Sequence, residues 1–481
     1  MKECLEFYID GAWRQPFSVT SLHEAIDPAT ERVSGTVALG GEEDARRAVE
    51  AAHRAFDAYA RTPLGQRLEL LESICAQYEK RLGEMADAIT EEMGAPLHRL
   101  SRPAQAPMGL GHFKTALAVA RNFPFERVRG TTRILREPVG VCALITPWNW
   151  PMNQIACKVA PALVTGCTMV LKPSEFAPYS ACLFAEILHE AGVPTGVFNM
   201  LYGDGGVIGP VLSSHPLVDM VSLTGSTRAG ASVSHAAADG IKRVSLELGG
   251  KSANIVCESA DFAQAVGHGV ATMMANTGQS CNAPSRLYVP ASRLEQAERI
   301  AAAVCARMVV GDPRAPDTAI GPIANRRQYE RVVGMIRTGI KEGAKLLCGG
   351  PDRPAGTPAG FFVQPTVFSG VKDSMTIARE EIFGPVLSIL PYEDLEGVIR
   401  SANDSPYGLS GYVHAGSLEE AGAVARRLRT GMVHLNGASV DLTAPFGGYK
   451  QSGIGREWGE AGFEEFLETK ALMGAEPAPA G

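Results

Sequence analysis

Residues 276–282 read Asn-Thr-Gly-Gln-Ser-Cys-Asn and set Cys281 just after a Gly-Gln turn. A thiol that attacks a carbonyl carbon forms a covalent intermediate, and that chemistry also needs a base. About thirty residues upstream, Leu246-Glu247-Leu248-Gly249-Gly250-Lys251 supplies a candidate base in Glu247. The glycine pair beside it suggests close backbone approach to something bulky, although a strand-end glutamate paired with Lys251 is the plainer reading. The attack creates an oxyanion, which needs donors. Thr146-Pro147-Trp148-Asn149-Trp150-Pro151 offers the side-chain amide of Asn149 at the end of a buried strand, between two of the four tryptophans of the chain. Backbone N–H groups around Cys281 would help complete the oxyanion hole.

Further stretches suit a dinucleotide. Lys172 and Glu175, in Leu171-Lys172-Pro173-Ser174-Glu175, lie just beyond a strand, where the adenosine ribose sits in a doubly wound fold. A carboxylate there accepts from ribose hydroxyls and repels a 2′-phosphate, which favours NAD over NADP; a solvated loop ion pair is the alternative. Gly203-Asp204-Gly205-Gly206-Val207-Ile208-Gly209 follows a strand and opens a helix, but Ile208 fills the last glycine place of G-x-G-x-x-G. Gly225-Ser226-Thr227, at the next strand end, combines N–H groups with a hydroxyl that can hold phosphate. Glu380-Glu381-Ile382-Phe383-Gly384-Pro385 suits either a loop that holds a ribose and stacks beside a flat ring, or a surface turn.

The elements that must position these groups are legible as alternating periods. Apolar residues at helical spacing predict helices over 42–60 and 64–93 and around 105–120. Residues 131–146 change to an exposed strand pair that leads into a buried strand. Strands at 168–171, 197–201 and 218–223 then alternate with helices, and a second alternation starts at 253–257 with a helix over 261–276. Such alternation implies parallel, doubly wound sheets whose ligand crevices lie at the carboxyl ends of the strands. A strand is expected near 466–472, and the final Ala-Glu-Pro-Ala-Pro-Ala-Gly is expected to be disordered.

Composition narrows the classes. A chain of 481 residues implies two or three domains. Its net charge of −7, with no basic run, argues against nucleic acid or an anionic membrane as the partner. Ten cysteines without C-x-x-C or metal-ligand spacing read as reduced thiols, so no metal is expected and the expected location is cytoplasmic. The first residues lack an apolar signal-peptide core, and no apolar run reaches the ~18–20 residues of a membrane helix.

Together these segments resemble the aldehyde dehydrogenase superfamily, the NAD(P)-dependent enzymes that oxidise aldehydes to acids. Pro147-Trp148-Asn149-Trp150-Pro151, Lys172-Pro173-Ser174-Glu175, Thr224-Gly225-Ser226-Thr227, Glu247-Leu248-Gly249-Gly250-Lys251, Gly278-Gln279-Ser280-Cys281, Glu381-Ile382-Phe383-Gly384-Pro385 and Pro445-Phe446-Gly447-Gly448-Tyr449-Lys450 carry the resemblance, which spans about residues 6–472. It implies an α/β architecture of two doubly wound domains plus a β oligomerisation arm. Residues 1–121 and 140–249 would form the Rossmann-like NAD-binding domain and 250–451 the catalytic domain. Residues 122–139 and 452–481 would form the arm and tail, making a homodimer or homotetramer.

The resemblance also implies roles. Cys281 would be the nucleophile, Asn149 an oxyanion donor, and Glu247 the base that activates water against a thioester. Lys158 and Glu457 match positions on a proton path near that base. Lys172 and Glu175 would hold the adenosine ribose, Trp148 and Ser226 the pyrophosphate, and Glu381 the nicotinamide ribose with Phe383 beside the ring. Thr146, Gly205, Gly225 and Leu248 would complete the NAD site. The aldehyde would pass Trp150, Gln154, Cys157, Ala275, Ser280, Val440 and Phe446. Cys157, Ala275 and Val440 stand where the family commonly has bulkier aromatics, which implies a wide mouth and a long or bulky aldehyde. No arginine appears beside Cys281 or at 438–444, so no carboxylate clamp is evident. A CoA-acylating relative is disfavoured by Glu247 and Glu457, and a silent structural relative by intact Cys281, Glu247 and Asn149.

Overall fold

The structure is a computed structural model that describes residues 2–474. The terminal segment expected to be disordered lies outside these residues. Two large sheets carry the fold. In the first, five parallel strands run in the order Arg243–Glu247, Met220–Thr224, Val141–Ile145, Thr168–Lys172, Phe198–Met200. Antiparallel edges close it on both sides: Gly453–Ile454 pairs with Leu246 and Glu247, and Phe7–Ile9 with Ala12–Arg14 forms a hairpin on the far edge. The chain builds outward from Val141–Ile145 through Thr168–Lys172 to Phe198–Met200. It then returns to the other flank with Met220–Thr224. That reversal makes the end of Val141–Ile145 a switch point, where a crevice opens between crossovers that leave in opposite directions. Thr146 to Asn149 and Thr224 to Ser226 sit on its two lips.

The second sheet orders Lys345–Cys348, Thr366–Ser369, Val386–Tyr392, Arg286–Pro290, Ala253–Val256, Ser410–His414 and Met432–Leu435. All of its pairings are parallel except the first. Strands buried on both faces explain the near-continuous apolar runs such as Val141–Ile145, where all five residues are buried. A small third sheet joins Glu126–Arg129, Thr132–Pro138 and Leu467–Met473 antiparallel. The tail therefore divides: Gly453–Ile454 belongs to the first large sheet, and only Leu467–Met473 joins the small one.

Several expected elements need correction. The helix expected over 64–93 is two, Leu64–Lys80 and Leu82–Met93, broken at Arg81 (φ −108°, ψ 13°). Arg81 is anchored to Glu84 and Glu186, and the break lets the first helix pack on Ala106–Asn122 and the second on Pro178–Glu190. A wide-turn helix at Leu97–Gln105, with Pro103 inside it, precedes Ala106–Asn122. The helix expected over 261–276 stops at Met274. The helix Arg326–Lys341, which lies beside the site, was not expected, although Tyr329, Val332, Val333, Ile336 and Ile340 recur at helical spacing.

Candidate active site

Beyond Met274 the backbone turns left-handed for three successive residues, with φ of 52° at Asn276, 56° at Thr277 and 68° at Gly278. A non-glycine residue in that region costs about 1 kcal/mol or more, so the turn persists only if its surroundings over-determine it. They do. Asn276 Nδ2 donates to the Asn149 carbonyl (2.9 Å), and its Oδ1 accepts from Gln105 Nε2 (3.1 Å). Thr277 Oγ1 donates to the Gly321 carbonyl (3.2 Å). Gln279 Nε2 donates to the Asn276 carbonyl (3.2 Å), while its Oε1 accepts from Ala324 N (2.9 Å). At Gly278 a β-carbon would overlap the Gly384 carbonyl. The Gly-Gln turn read from sequence is thus the end of a buried, fully hydrogen-bonded corner that presents Cys281.

The strand-end turn grips the same corner. Asn149 Nδ2 donates to the Gln279 carbonyl (3.0 Å), and Trp150 Nε1 donates to Ser280 Oγ (2.8 Å). Trp150 is the N-cap of helix Pro151–Thr165 and makes no side-chain cap bond. The Asn149 amide is therefore free of capping duty and faces the thiol loop. Gly250 packs against the Cys281 backbone so closely that a β-carbon would overlap the Cys281 carbonyl. The Cys281 thiol is half-buried against Phe446 and Trp458. Burial pushes it well above the ordinary thiol range, helped by the carboxylates of Glu381, Glu247 and Glu457, so at rest it holds its proton and a base must take it.

Glu247 ends strand Arg243–Glu247, and the residue is 2% exposed. Neither carboxylate oxygen has a hydrogen-bond partner. Gly447 leaves room for it, since a β-carbon there would lie 2.5 Å from Oε1. Burial, then the neighbouring Glu457, raises Glu247 well above the ordinary carboxylate range. Next to it lies a buried ion pair of Lys158 with Glu457 Oε1. Lys158 Nζ also donates to Thr224 Oγ1 (2.7 Å), and Cys157 Sγ donates to Glu457 Oε2 (3.2 Å). Burial alone would lower Lys158, but Glu457 outweighs it and holds the ammonium above its usual range.

A cavity of about 760 Å³ opens at the switch point. Trp148, Asn149, Gln154, Gly225, Ser226, Leu248, Cys281, Glu381 and Phe383 all line it. Ser226 caps helix Thr227–Ala238, accepting from Ala229 N (3.2 Å), so free backbone N–H groups of the first turn point to the crevice. Glu381 accepts from Gly250 N (3.1 Å) and crowds Gly249, where a β-carbon would strike its carboxylate. Its pKa is pushed up to about 7, chiefly by burial. Phe383 adopts φ 61° and meets Trp148 edge to face at 5.6 Å. Lys172 Nζ donates to Glu175 Oε2 (3.0 Å); these two do not line the cavity, but the adjacent Phe176 does, and Gly205 lies beside Lys172. Thr146 Oγ1 is buried without a partner and lies outside the lining.

The sequence model of the aldehyde dehydrogenase family matches residues 13–472 of the chain. The chain belongs to the aldehyde dehydrogenase family. It is 62% identical over 476 residues to 3-succinoylsemialdehyde-pyridine dehydrogenase of a Pseudomonas species, covering 99% of this chain and all of that one. It is 45% identical to a putative aldehyde dehydrogenase of Staphylococcus saprophyticus, over 98% of this chain and 99% of the relative. Among solved structures it superposes on an aldehyde dehydrogenase C mutant from Pseudomonas syringae in complex with NAD+ and octanal. There the TM-score is 0.97 and the identity 50%, with 99% and 98% of the two chains covered. The aldehyde dehydrogenase of Mycobacterium tuberculosis in complex with NAD+ gives 0.93 at 37% identity, with 98% of each chain covered.

Beside Cys281, which packs against Phe446 and Trp458, this aldehyde dehydrogenase has a second cavity of about 330 Å³, walled by Asn282, Met432, His434, Val440, Phe446 and Trp458 among others. Val440 and Phe446 therefore stand together, with Val440 exposed at the rim. Gln154 lines the large cavity instead, and Ala275 is exposed and lines neither. Cys157 is buried and turned to Glu457. Sequence reasoning missed Asn276 and Gln279, which lock the thiol corner, and Arg327, Gln328 and Arg331, which line the large cavity from the unpredicted helix. It also missed Trp458, whose rarity was the one available signal.

Proposed function

We propose that this member of the family oxidises a bulky, apolar-bodied aldehyde to its acid with NAD+, through a thioester on Cys281 that water hydrolyses. The observation that carries the reading is a single juxtaposition. Cys281 lies on the wall of the 760 Å³ cavity, and near it is a buried carboxylate, Glu247, with both oxygens unpartnered. The NAD+ held by the two solved relatives supports that cofactor, and the walls here fit it: Trp148 and Ser226 toward pyrophosphate, Glu381 toward a ribose, Phe383 beside the ring. When bound, NAD+ would accept the hydride that leaves the aldehyde carbon.

The residues of the chain do the rest. The Cys281 sulfur bonds to the carbonyl carbon as its own proton passes to water in the open cavity. The oxyanion is held by Asn149 Nδ2 and the Cys281 N–H. After oxidation the carbon is a thioester; Glu247 removes a proton from water, the water oxygen bonds to that carbon, and the C–S bond breaks to return the thiolate. Glu457 and Lys158 provide the path along which the proton on Glu247 leaves. The apolar and aromatic walls of the smaller cavity suit an aromatic or long aliphatic body, in keeping with the relatives named for a pyridine semialdehyde and crystallised with octanal. The ten free cysteines agree with a reducing, cytoplasmic location, and among the described residues no helix is long and apolar enough to cross a membrane. The exposed edge strand Glu126–Arg129 of the small sheet supports a homodimer or homotetramer built through that arm.

The test is NADH formation across short, long-chain, aromatic and heteroaromatic aldehydes. Cys281→Ala should abolish turnover while NAD+ still quenches tryptophan fluorescence. Absolute dependence on CoA would replace hydrolysis by thiolysis and overturn the reading.

A further inference from the structure

Cys157 stands apart from the other thiols. Among the described residues it is the only cysteine whose Sγ donates to a side-chain carboxylate, Glu457 Oε2 at 3.2 Å; the sulfur contacts of Cys142 and Cys167 go to backbone carbonyls or a neighbouring hydroxyl. A helical cysteine ordinarily donates to a carbonyl one turn back, and here the Gln154 carbonyl lies at 3.5 Å. A thiol has one proton to give. The shorter contact to a charged oxygen takes it, because charge-assisted bonds are the stronger ones. The other oxygen of that carboxylate forms the buried ion pair with the Lys158 ammonium. Two consecutive residues of one helix thus hold the two oxygens of Glu457.

We propose that Cys157 is a positioning residue for thioester hydrolysis: its S–H fixes the Glu457 carboxylate as an anion facing Lys158 and close to Glu247, and so sets the strength of Glu247 as a base. The proposal rests on the reading of Glu247 and Glu457 given above. Its physical content is a field. An anionic neighbour in a buried site makes a carboxylate more basic, and a stronger base removes the proton of water faster. Without the thiol donor, Glu457 swings wholly toward Lys158. That move weakens the negative field at Glu247. Burial drives the thiol itself strongly upward, with Glu457 adding to the effect, so it remains a donor throughout the working pH range. This account replaces the expectation that Cys157 is simply a small residue widening the aldehyde path.

Cys157→Val keeps the shape and removes the donor; Cys157→Ser keeps a donor. The measurements are single-turnover NADH formation with hexanal, which reads thioester formation, and the pH profile of kcat, which reads hydrolysis. For Val the expected result is unchanged single-turnover NADH formation and aldehyde KM within about twofold, with kcat down roughly tenfold and its acid limb moved to lower pH. Ser should regain kcat to within about threefold and return the limb. Cys157→Ala, which adds no bulk, is read in the same way should Val not fold. If Val instead raises KM and leaves kcat and the limb in place, Cys157 is a cavity wall and the proposal is overturned. Glu457→Gln separates the two layers. If it alters neither kcat nor the limb, the underlying reading of Glu457 fails; if it alters both while Val alters neither, only the role of Cys157 falls.

Discussion

Gly250 lies directly against the Cys281 backbone: a β-carbon at residue 250 would overlap the Cys281 carbonyl and stand 3.2 Å from Leu409 Cβ. The constraint is steric, because Gly250 is not among the positive-φ residues. Alanine can adopt its backbone but cannot share its space, and the atom in the way is main chain. Gly250→Ala should therefore shift the thiol corner. Overpacking of this kind costs about 1–3 kcal/mol. We expect a lower melting temperature and a kcat/KM reduced at least tenfold, with NAD+ affinity changed far less. Thermal melts and NADH kinetics check both. A variant with normal kinetics would mean the corner relaxes without moving Sγ.

Glu247 is raised by burial and by Glu457, and it acts as a base only when deprotonated. Turnover limited by hydrolysis should therefore fall as pH drops through a limb well above 4.5, the usual value for glutamate. Glu247→Gln should form NADH in a rapid burst equal to the sites present, then turn over roughly a hundredfold or more slowly, with the acyl group trapped on Cys281. Intact-mass analysis of the stalled enzyme detects that group. Wild-type steady turnover in the variant would put the base elsewhere.

Glu381 links cofactor binding to stability. Its pKa is 4.5 in an unfolded chain and about 7 in the fold, where burial outweighs the bond from Gly250 N. A raised folded pKa means that its contribution to stability is complete below pH 4.5 and is lost as pH rises through 7. Glu381→Gln removes that loss. The variant should be more stable than wild type at pH 8, on the order of 2 kcal/mol once exposure to the open cavity is discounted, and no more stable near pH 4.5. Its KM for NAD+ should rise at pH 8. Equal melting temperatures at pH 8 would show the carboxylate to be solvated.

The chemistry was legible in sequence where residue type and strand ends coincide. Asn149, Glu247 and Cys281 could be named because each follows a strand or turn whose period is visible, and the two-sheet alternation was visible for the same reason. The corner at Asn276 and Thr277 was not. Asn tolerates a positive φ but β-branched Thr does not announce one, and what stabilises the corner comes from Gln105, Asn149, Gly321 and Ala324, far away in the chain. The helix Arg326–Lys341 was legible but unread: Tyr329, Val332, Val333, Ile336 and Ile340 form one apolar stripe in a charged stretch, the ordinary signature of an amphipathic helix. Cys157 was read from its size; its partner lies 300 residues away.

Cofactor choice turns on one ion pair. Lys172 is almost wholly buried, and its ammonium is given to Glu175 at 3.0 Å. With the pair intact, a 2′-phosphate would meet the carboxylate first, and the cation would be already engaged. Glu175→Gln removes the repulsion and releases Lys172 as a donor to phosphate. NAD+ should lose a few-fold in kcat/KM through a weaker ribose contact, while NADP+ gains about tenfold or more. Lys172→Met in the same background should cancel the NADP+ gain, because the attraction comes from the freed ammonium. If Glu175→Gln leaves the ratio of the two cofactors unchanged, the adenosine ribose does not sit beside this pair, and the preference must be set by the other residues around the crevice.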